Sequence, residues 1–174
     1  MLLLSYHFLV CINERNNLKL LLEILYSFVD SFSFGVIFNI KGRKVFFAGL
    51  GGALSQACYG FLAIYLSNEI PAYLFATIIT AIYAEIMARI SKTPATVFLV
   101  PSIIPLVPGG MIYNTMEYCL MGENIMFFNK LIETIGVAGA LAMGILIVSS
   151  INKVIRVGLA KYSVGKIKNK TPTL

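Results

Sequence analysis

The sequence predicts an all-α, polytopic membrane helix bundle of about five transmembrane helices, the fourth broken by prolines. Three observations carry that reading. Of 174 residues, 58% are hydrophobic and only 13% are charged, where an ordinary soluble domain is roughly 25% charged. The mean hydropathy is +0.83. The apolar residues also gather in stretches long enough to cross a hydrocarbon core, which takes about 20 residues of helix. A soluble fold is therefore excluded, and so is a disordered chain, which would be poor in apolar residues. The three cysteines, Cys11, Cys58 and Cys119, are odd in number and widely spaced. They make no disulfide framework and read as small apolar side chains.

Residues 1–18 stand apart as an N-terminal extension. The segment MLLLSYHFLVCI is apolar but too short to span, and it lacks the basic start and small-residue cleavage site of a signal peptide. An interfacial segment and a misassigned start codon both fit it. The transmembrane domain then occupies 19–151, with spans at about 19–40, 44–66, 70–90, 95–121 and 127–151. The hydrophilic breaks KGRK (41–44), SNE (67–69), SKT (91–93) and GEN (122–124) are short enough to make consecutive helices antiparallel neighbours. Residues 152–174 form a basic tail.

Charge sets the orientation. The net charge is +6, which in a soluble protein would raise the question of nucleic acid. In a membrane chain, basic residues instead mark the cytoplasmic side. Lys41, Arg43, Lys44, Arg89, Lys92, Lys153, Arg156, Lys161, Lys166, Lys168 and Lys170 fall on one side, against Arg15, Lys19 and Lys130 on the other. The C-terminus is thus expected in the cytoplasm, the N-terminus outside, and no nucleic-acid partner. The basic tail either lies along the anionic inner leaflet or is solvated.

Close approach through small residues drives helix packing in lipid. Span two carries Gly49, Ala53 and Ala57 at four-residue spacing, with Ala48, Gly52 and Gly60 nearby, and span five carries Gly136, Ala140 and Gly144 in the same register. Both faces are expected to pack against other helices.

An ionisable group deep in the bilayer costs at least ~2.5–3.5 kcal/mol, so it needs a partner or a purpose. Asp30, the only aspartate, falls in the middle of span one. At 100° per residue, Glu23, Ser27 and Ser33 lie within about a half-circle of it, with Leu25, Phe28, Val29, Phe32 and Val36 opposite. This wet stripe should face the bundle interior or a water-filled path. A transport role for Asp30, for example as a proton carrier, and simple hydrogen bonding inside the bundle both fit. Glu85, four residues before Arg89, suits a helical ion pair. Glu117 and Glu133 sit near the outer ends of their spans, within reach of water.

The most informative stretch is PATVFLVPSIIPLVPGGMIY, 94–113. Pro101, Pro105 and Pro108 each lack an N–H and clash with the preceding turn, and Gly109–Gly110 adds conformational freedom. A continuous helix is not expected. Carbonyls around Val97, Pro101 and Ile104 lose their partners, and such acceptors cannot face lipid. A proline-kinked span repaired by its neighbours is one outcome. The other is a broken helix that binds substrate, with freed carbonyls receiving an ammonium group or cation and a second half-helix, starting near Gly110, turning its N–H groups toward a carboxylate. Ser102, Tyr113, Asn114 and Thr115 could add polar contacts.

FGVIFN at 34–39, AGLGGAL at 48–54 and PATVFLVPSIIPLVPGGMIYNTM at 94–116 resemble the threonine/serine exporter family, in particular its smaller, separately encoded membrane subunit. The resemblance covers most of 19–151. It implies a bacterial inner-membrane, multi-pass export system in two halves, the larger subunit bringing a cytosolic domain and further helices. It also implies efflux of threonine and serine or, in relatives of the split type, of the dicarboxylate succinate. Phe34, Gly35, Phe38 and Asn39 match the first motif, and Pro94, Pro101, Pro105, Pro108 and Gly109 the proline-rich one. An odd span count entering from outside suits one half of an inverted-topology pair.

The leading expectation is therefore a membrane subunit of a two-component secondary exporter. Its substrate-binding set is Asp30, Asn39, Pro101, Ser102, Pro105, Pro108, Gly109, Gly110 and Tyr113. The expected partners are the larger subunit, a small-molecule substrate and membrane lipid, with no cofactor and no metal. No phosphate-binding loop occurs in the sequence. A scaffold subunit that only stabilises its partner is the alternative. An intramembrane enzyme fits less well, because His7 is the lone histidine and no metal-ligand cluster or Ser/His pairing stands out.

Overall fold

The computed structural model describes the backbone of residues 2–66 and 68–168, and the side chains of residues 18–66 and 68–155. Its elements are all helical: α1 Leu2–Ile37, α2 Arg43–Tyr65, α3 Glu69–Ser91, α4 Thr96–Ile103, a 3-10 turn Ile104–Leu106, α5 Gly109–Met121 and α6 Asn124–Lys168. Four stretches are long and apolar enough to cross a membrane: Leu18–Ile37, Arg43–Tyr65, Glu69–Ser91 and Asn124–Ile155. The bent pair Thr96–Leu106 and Gly109–Met121 makes a fifth when taken as one span. The bundle with a broken fourth span is thus as expected.

Two boundaries extend beyond the expected ones. Helix α1 begins at Leu2 and α6 continues to Lys168, so residues 2–18 and 152–168 continue the neighbouring helices. The side-chain roles foreseen for residues 1–17, including an interfacial segment, and for the tail beyond Ile155 lie outside the described residues.

Asn39 closes α1 in the left-handed region, with φ 55°. Its N–H donates to the Val36 carbonyl at 2.9 Å and the Ile40 N–H to the Gly35 carbonyl at 3.0 Å. Asparagine tolerates this backbone better than most residues. Lys92 ends α3 in the left-handed region too.

Small residues set several of the close approaches between helices. Gly49 lies against the Phe28 ring of α1. A Cβ on Gly52 would overlap the Ser31 hydroxyl and stand 2.8 Å from the Ser27 carbonyl oxygen. One on Gly60 would stand 2.7 Å from Leu20. On another face of α2, a Cβ on Gly51 would overlap the Ser102 hydroxyl of α4. The packing stripe of α2 against α1 is therefore Gly49, Gly52 and Gly60. Ala53 and Ala57 of the expected stripe are only half-buried, because the helix turns its glycines, which permit the closest contact, toward α1. The α6 stripe is as expected at both ends: Gly136 meets Ile70, and Gly144 meets Thr77 of α3. Helix α3 adds a stripe not singled out from sequence, Ala72, Ala76, Thr80, Ala84 and Ala88, all buried.

Helix α2 sits centrally, touching α1, α3, α4 and the 3-10 turn, while α5 packs on α6. Ala48, Ala84, Ala88 and Phe98 form one core cluster. Leu106 of the 3-10 turn, 1% exposed, joins Ala76 and Leu141 in a second. The proline-rich break is thereby pinned at the middle of the bundle.

Gly52→Val should cost ~3 kcal/mol, the upper range for overpacking, because backbone as well as a side chain blocks the new atoms. Gly139→Ala, with nothing within 4 Å of the added carbon, should leave stability unchanged or raise it by up to ~1 kcal/mol through helix propensity. Thermal unfolding of the two purified variants in detergent checks the contrast.

Candidate functional site: a carboxylate-lined groove at the broken helix

The buried stripe of α1 is Ser27, Ser31 and Gly35, at four-residue spacing. These small residues bring α1 against the α2 glycines and rotate its larger polar groups to one side. Glu23, Ser27, Asp30 and Ser33 line a groove of about 540 Å³ together with Tyr26, Val29, Gln56 of α2 and Pro105 of the 3-10 turn. All four members of the expected wet stripe thus share one cavity with the central proline of the broken span. Of the two settings foreseen for it, the bundle interior is not where Asp30 lies. Asp30 is exposed on the flank of the chain, because the α1–α2 seam is made by the serine and glycine stripes. Val29, foreseen on the dry side, also lines the groove.

Gln56, the chain's one glutamine, was not foreseen here. Its Nε2 donates to Glu23 Oε2 at 3.4 Å, linking α1 to α2. A carboxamide in a span otherwise made of apolar and small residues was the available signal. Ser33 Oγ donates to the Val29 carbonyl at 2.7 Å. Asp30 lies seven residues after Glu23, about 10 Å along the helix axis. Among the described residues, the carboxylates lining the groove are Glu23 and Asp30, and no lysine, arginine or histidine lines it. Such a lining favours cations and ammonium groups.

The fourth span breaks in steps. Pro101 lies inside α4, where it withholds an N–H from the Val97 carbonyl, and Pro105 withholds one from Pro101. The freed Ile104 carbonyl is repaired within the turn, accepting from the Val107 N–H at 3.1 Å. Val107 is extended, Pro108 follows, and α5 leaves at 47° to α4. Its first residue is Gly109, in keeping with the expected start near Gly110, and Pro108 accepts the first N–H of the new helix, that of Ile112 at 3.1 Å.

The other expected site residues scatter around this break. Pro101, Ser102 and Pro108 are buried. Ser102 sits against α2, with its Oγ 3.4 Å from the Ala48 carbonyl. Gly109 and Gly110 are exposed, and a Cβ on either would meet nothing within 4 Å. They lie outside the groove lining, as does Tyr113, 68% exposed on α5. Asn39 occupies the α1 cap. Thr115 bridges α5 and α6, its hydroxyl 3.2 Å from that of Thr134. Of the nine, the groove therefore unites Asp30 and Pro105. Near the start of α6, Glu133 pairs with Lys130 at 2.7 Å.

A family model described as "Threonine/Serine exporter, ThrE" matches residues 23–151, the stretch that holds the groove and the broken span. A threonine/serine exporter of Corynebacterium glutamicum is 26% identical over 119 residues, covering 68% of this chain and 24% of that protein. The chain thus spans about a quarter of the length of this curated relative. No solved structure matches. With four helices that can cross a membrane, five if the bent pair is counted as one span, and a matched region that includes the whole groove, the chain belongs to the threonine/serine exporter family.

Proposed function

We propose that this chain is the membrane subunit of a two-component secondary exporter, and that threonine or serine passes along the groove beside the broken fourth helix. The observation that carries the proposal is the meeting of Asp30, Glu23 and Gln56 with Pro105 in one cavity. The two carboxylates attract the substrate ammonium group. Gln56 and the serine hydroxyls offer hydrogen bonds to its carboxylate and side-chain hydroxyl. A dicarboxylate such as succinate would meet two like charges here, so an amino acid suits this lining better. Asp30 is also placed to exchange a proton with water in the groove, which would couple export to a proton gradient. The chain acts in transport and not as an enzyme.

A partner completes the path. Carboxylates at this depth do not face lipid, yet Asp30, Gly109 and Gly110 are exposed on the chain's surface. A polar surface must cover them. The larger subunit of the same family, with its cytosolic domain, is the partner that fits, and most of the length of the matched relative lies outside the region shared with this chain. The asymmetry of basic residues orients the chain in a bacterial inner membrane with its C-terminus in the cytoplasm. A scaffold that only supports the larger subunit would not need two carboxylates beside a broken helix.

Asp30→Asn keeps the shape of the side chain and removes its charge. With both subunits present, it should lower efflux of labelled threonine from loaded cells at least tenfold at unchanged membrane abundance. Normal efflux in this variant would favour the scaffold. Pro105→Ala returns an N–H to the Pro101 carbonyl and straightens the turn, and is expected to abolish efflux in the same assay. Comparing labelled threonine, serine and succinate should show loss of the two amino acids, and not of succinate, when this chain is deleted.

A further inference from the structure

A second site lies away from the groove, between α3 and α6. Ile78, Ile82 and Ile86 form a ladder at four-residue spacing on α3, and Ile147, Ile151 and Ile155 form a matching one on α6. Between them runs an apolar groove of about 290 Å³. The helices are held together beside it by the Gly144–Thr77 contact and by Arg89, whose guanidinium donates to Asn152 Oδ1 of α6. The ladders themselves do not close on each other: Ile82, Ile86, Ile147 and Ile151 remain 45%, 50%, 43% and 56% exposed.

At the end where α3 stops, the apolar groove meets a polar cavity of about 710 Å³, and Glu85, Arg89 and Asn152 line both. Arg89, Lys92 and Lys153 bring three positive charges to this cavity against Glu85 alone. Thr93 Oγ1 in its wall is buried with no hydrogen-bond partner among the described residues. The α3 C-terminus places a partial negative charge nearby and the α4 N-terminus a partial positive one. These oppose each other, so the side chains set the sign.

We infer that this is a binding site for an anionic phospholipid, with the headgroup phosphate held by Arg89, Lys92 and Lys153 and one acyl chain laid between the isoleucine ladders. Three features fix the occupant. The rise from Ile78 to Arg89, eleven residues, is roughly 16 Å, about half of a ~30 Å hydrocarbon core, so the groove is one leaflet deep. A slot between two isoleucine ladders admits a methylene chain but not a partner helix ~10 Å across. The basic residues gather at one end of the apolar groove, where α3 stops and the groove opens into the polar cavity. Basic pockets between transmembrane helices are suited to acidic headgroups. The site is independent of the export groove, since the two share no lining residue.

Native mass spectrometry of the full chain, released from nanodiscs containing equal phosphatidylglycerol and phosphatidylcholine, tests it. The wild type should retain phosphatidylglycerol at least tenfold over phosphatidylcholine. Lys92→Gln/Lys153→Gln spares the Arg89–Asn152 bond and should bring that ratio to within twofold of unity. Ile86→Trp/Ile151→Trp fills the slot, leaves the charges in place and should reduce retention of both lipids at least fivefold. Monodisperse elution of each variant confirms folding. An absence of preference in the wild type, or a preference unchanged in both variants, would overturn the assignment. So would displacement of phosphatidylglycerol by millimolar inorganic phosphate, which would show that the site reads a free anion.

Discussion

Everything in this chain accommodates a backbone that cannot finish its own hydrogen bonding inside a membrane. Between Pro101 and Gly110 three prolines withhold N–H groups, and lipid offers no replacement. The fold answers locally first. The 3-10 turn returns a donor to the Ile104 carbonyl through Val107, and Leu106 plugs the turn into the core beside Ala76 and Leu141. Pro101, Ser102 and Pro108 are buried by the surrounding helices. What remains open is Pro105, on the side where α1 brings its carboxylates.

The small residues make that arrangement reachable. Gly51 lets Ser102 of the broken span sit on α2, and Gly52 lets Ser31 of α1 do the same from another side. Helix α2 is thereby a hub that sets α1 and the proline turn next to each other. Since the α1 seam is made of Ser27, Ser31 and Gly35, its bulkier polar groups are left at the edge. The groove is a consequence of which face carries the smallest side chains.

Much of this was legible in the sequence, and the misses have physical causes. Span number, the broken fourth helix and the shared face of Glu23, Ser27, Asp30 and Ser33 follow from hydropathy and helical periodicity, which are properties of single helices. Which small residues contact which neighbour depends on rotation about each helix axis. A Gly49/Ala53/Ala57 stripe and the observed Gly49/Gly52/Gly60 stripe differ by only part of a turn. Gln56 joined the site only once α1 and α2 were placed side by side, and Gly109, Gly110 and Tyr113 left it because α5 swings away at 47°. Asn39, conspicuous in its motif, serves the α1 cap in this fold.

The central claim is that the groove at the proline turn carries water and cargo. Single cysteines at Tyr26, Ser33 and Leu146, with Cys11, Cys58 and Cys119 replaced by alanine and the proposed larger subunit co-expressed, measure it through reaction with a charged thiol reagent. The account predicts fast labelling at positions 26 and 33, slowed by threonine, and none at position 146, which is exposed on α6 away from the groove. Equal silence at all three positions, or labelling at 26 and 33 that threonine leaves untouched, would contradict it.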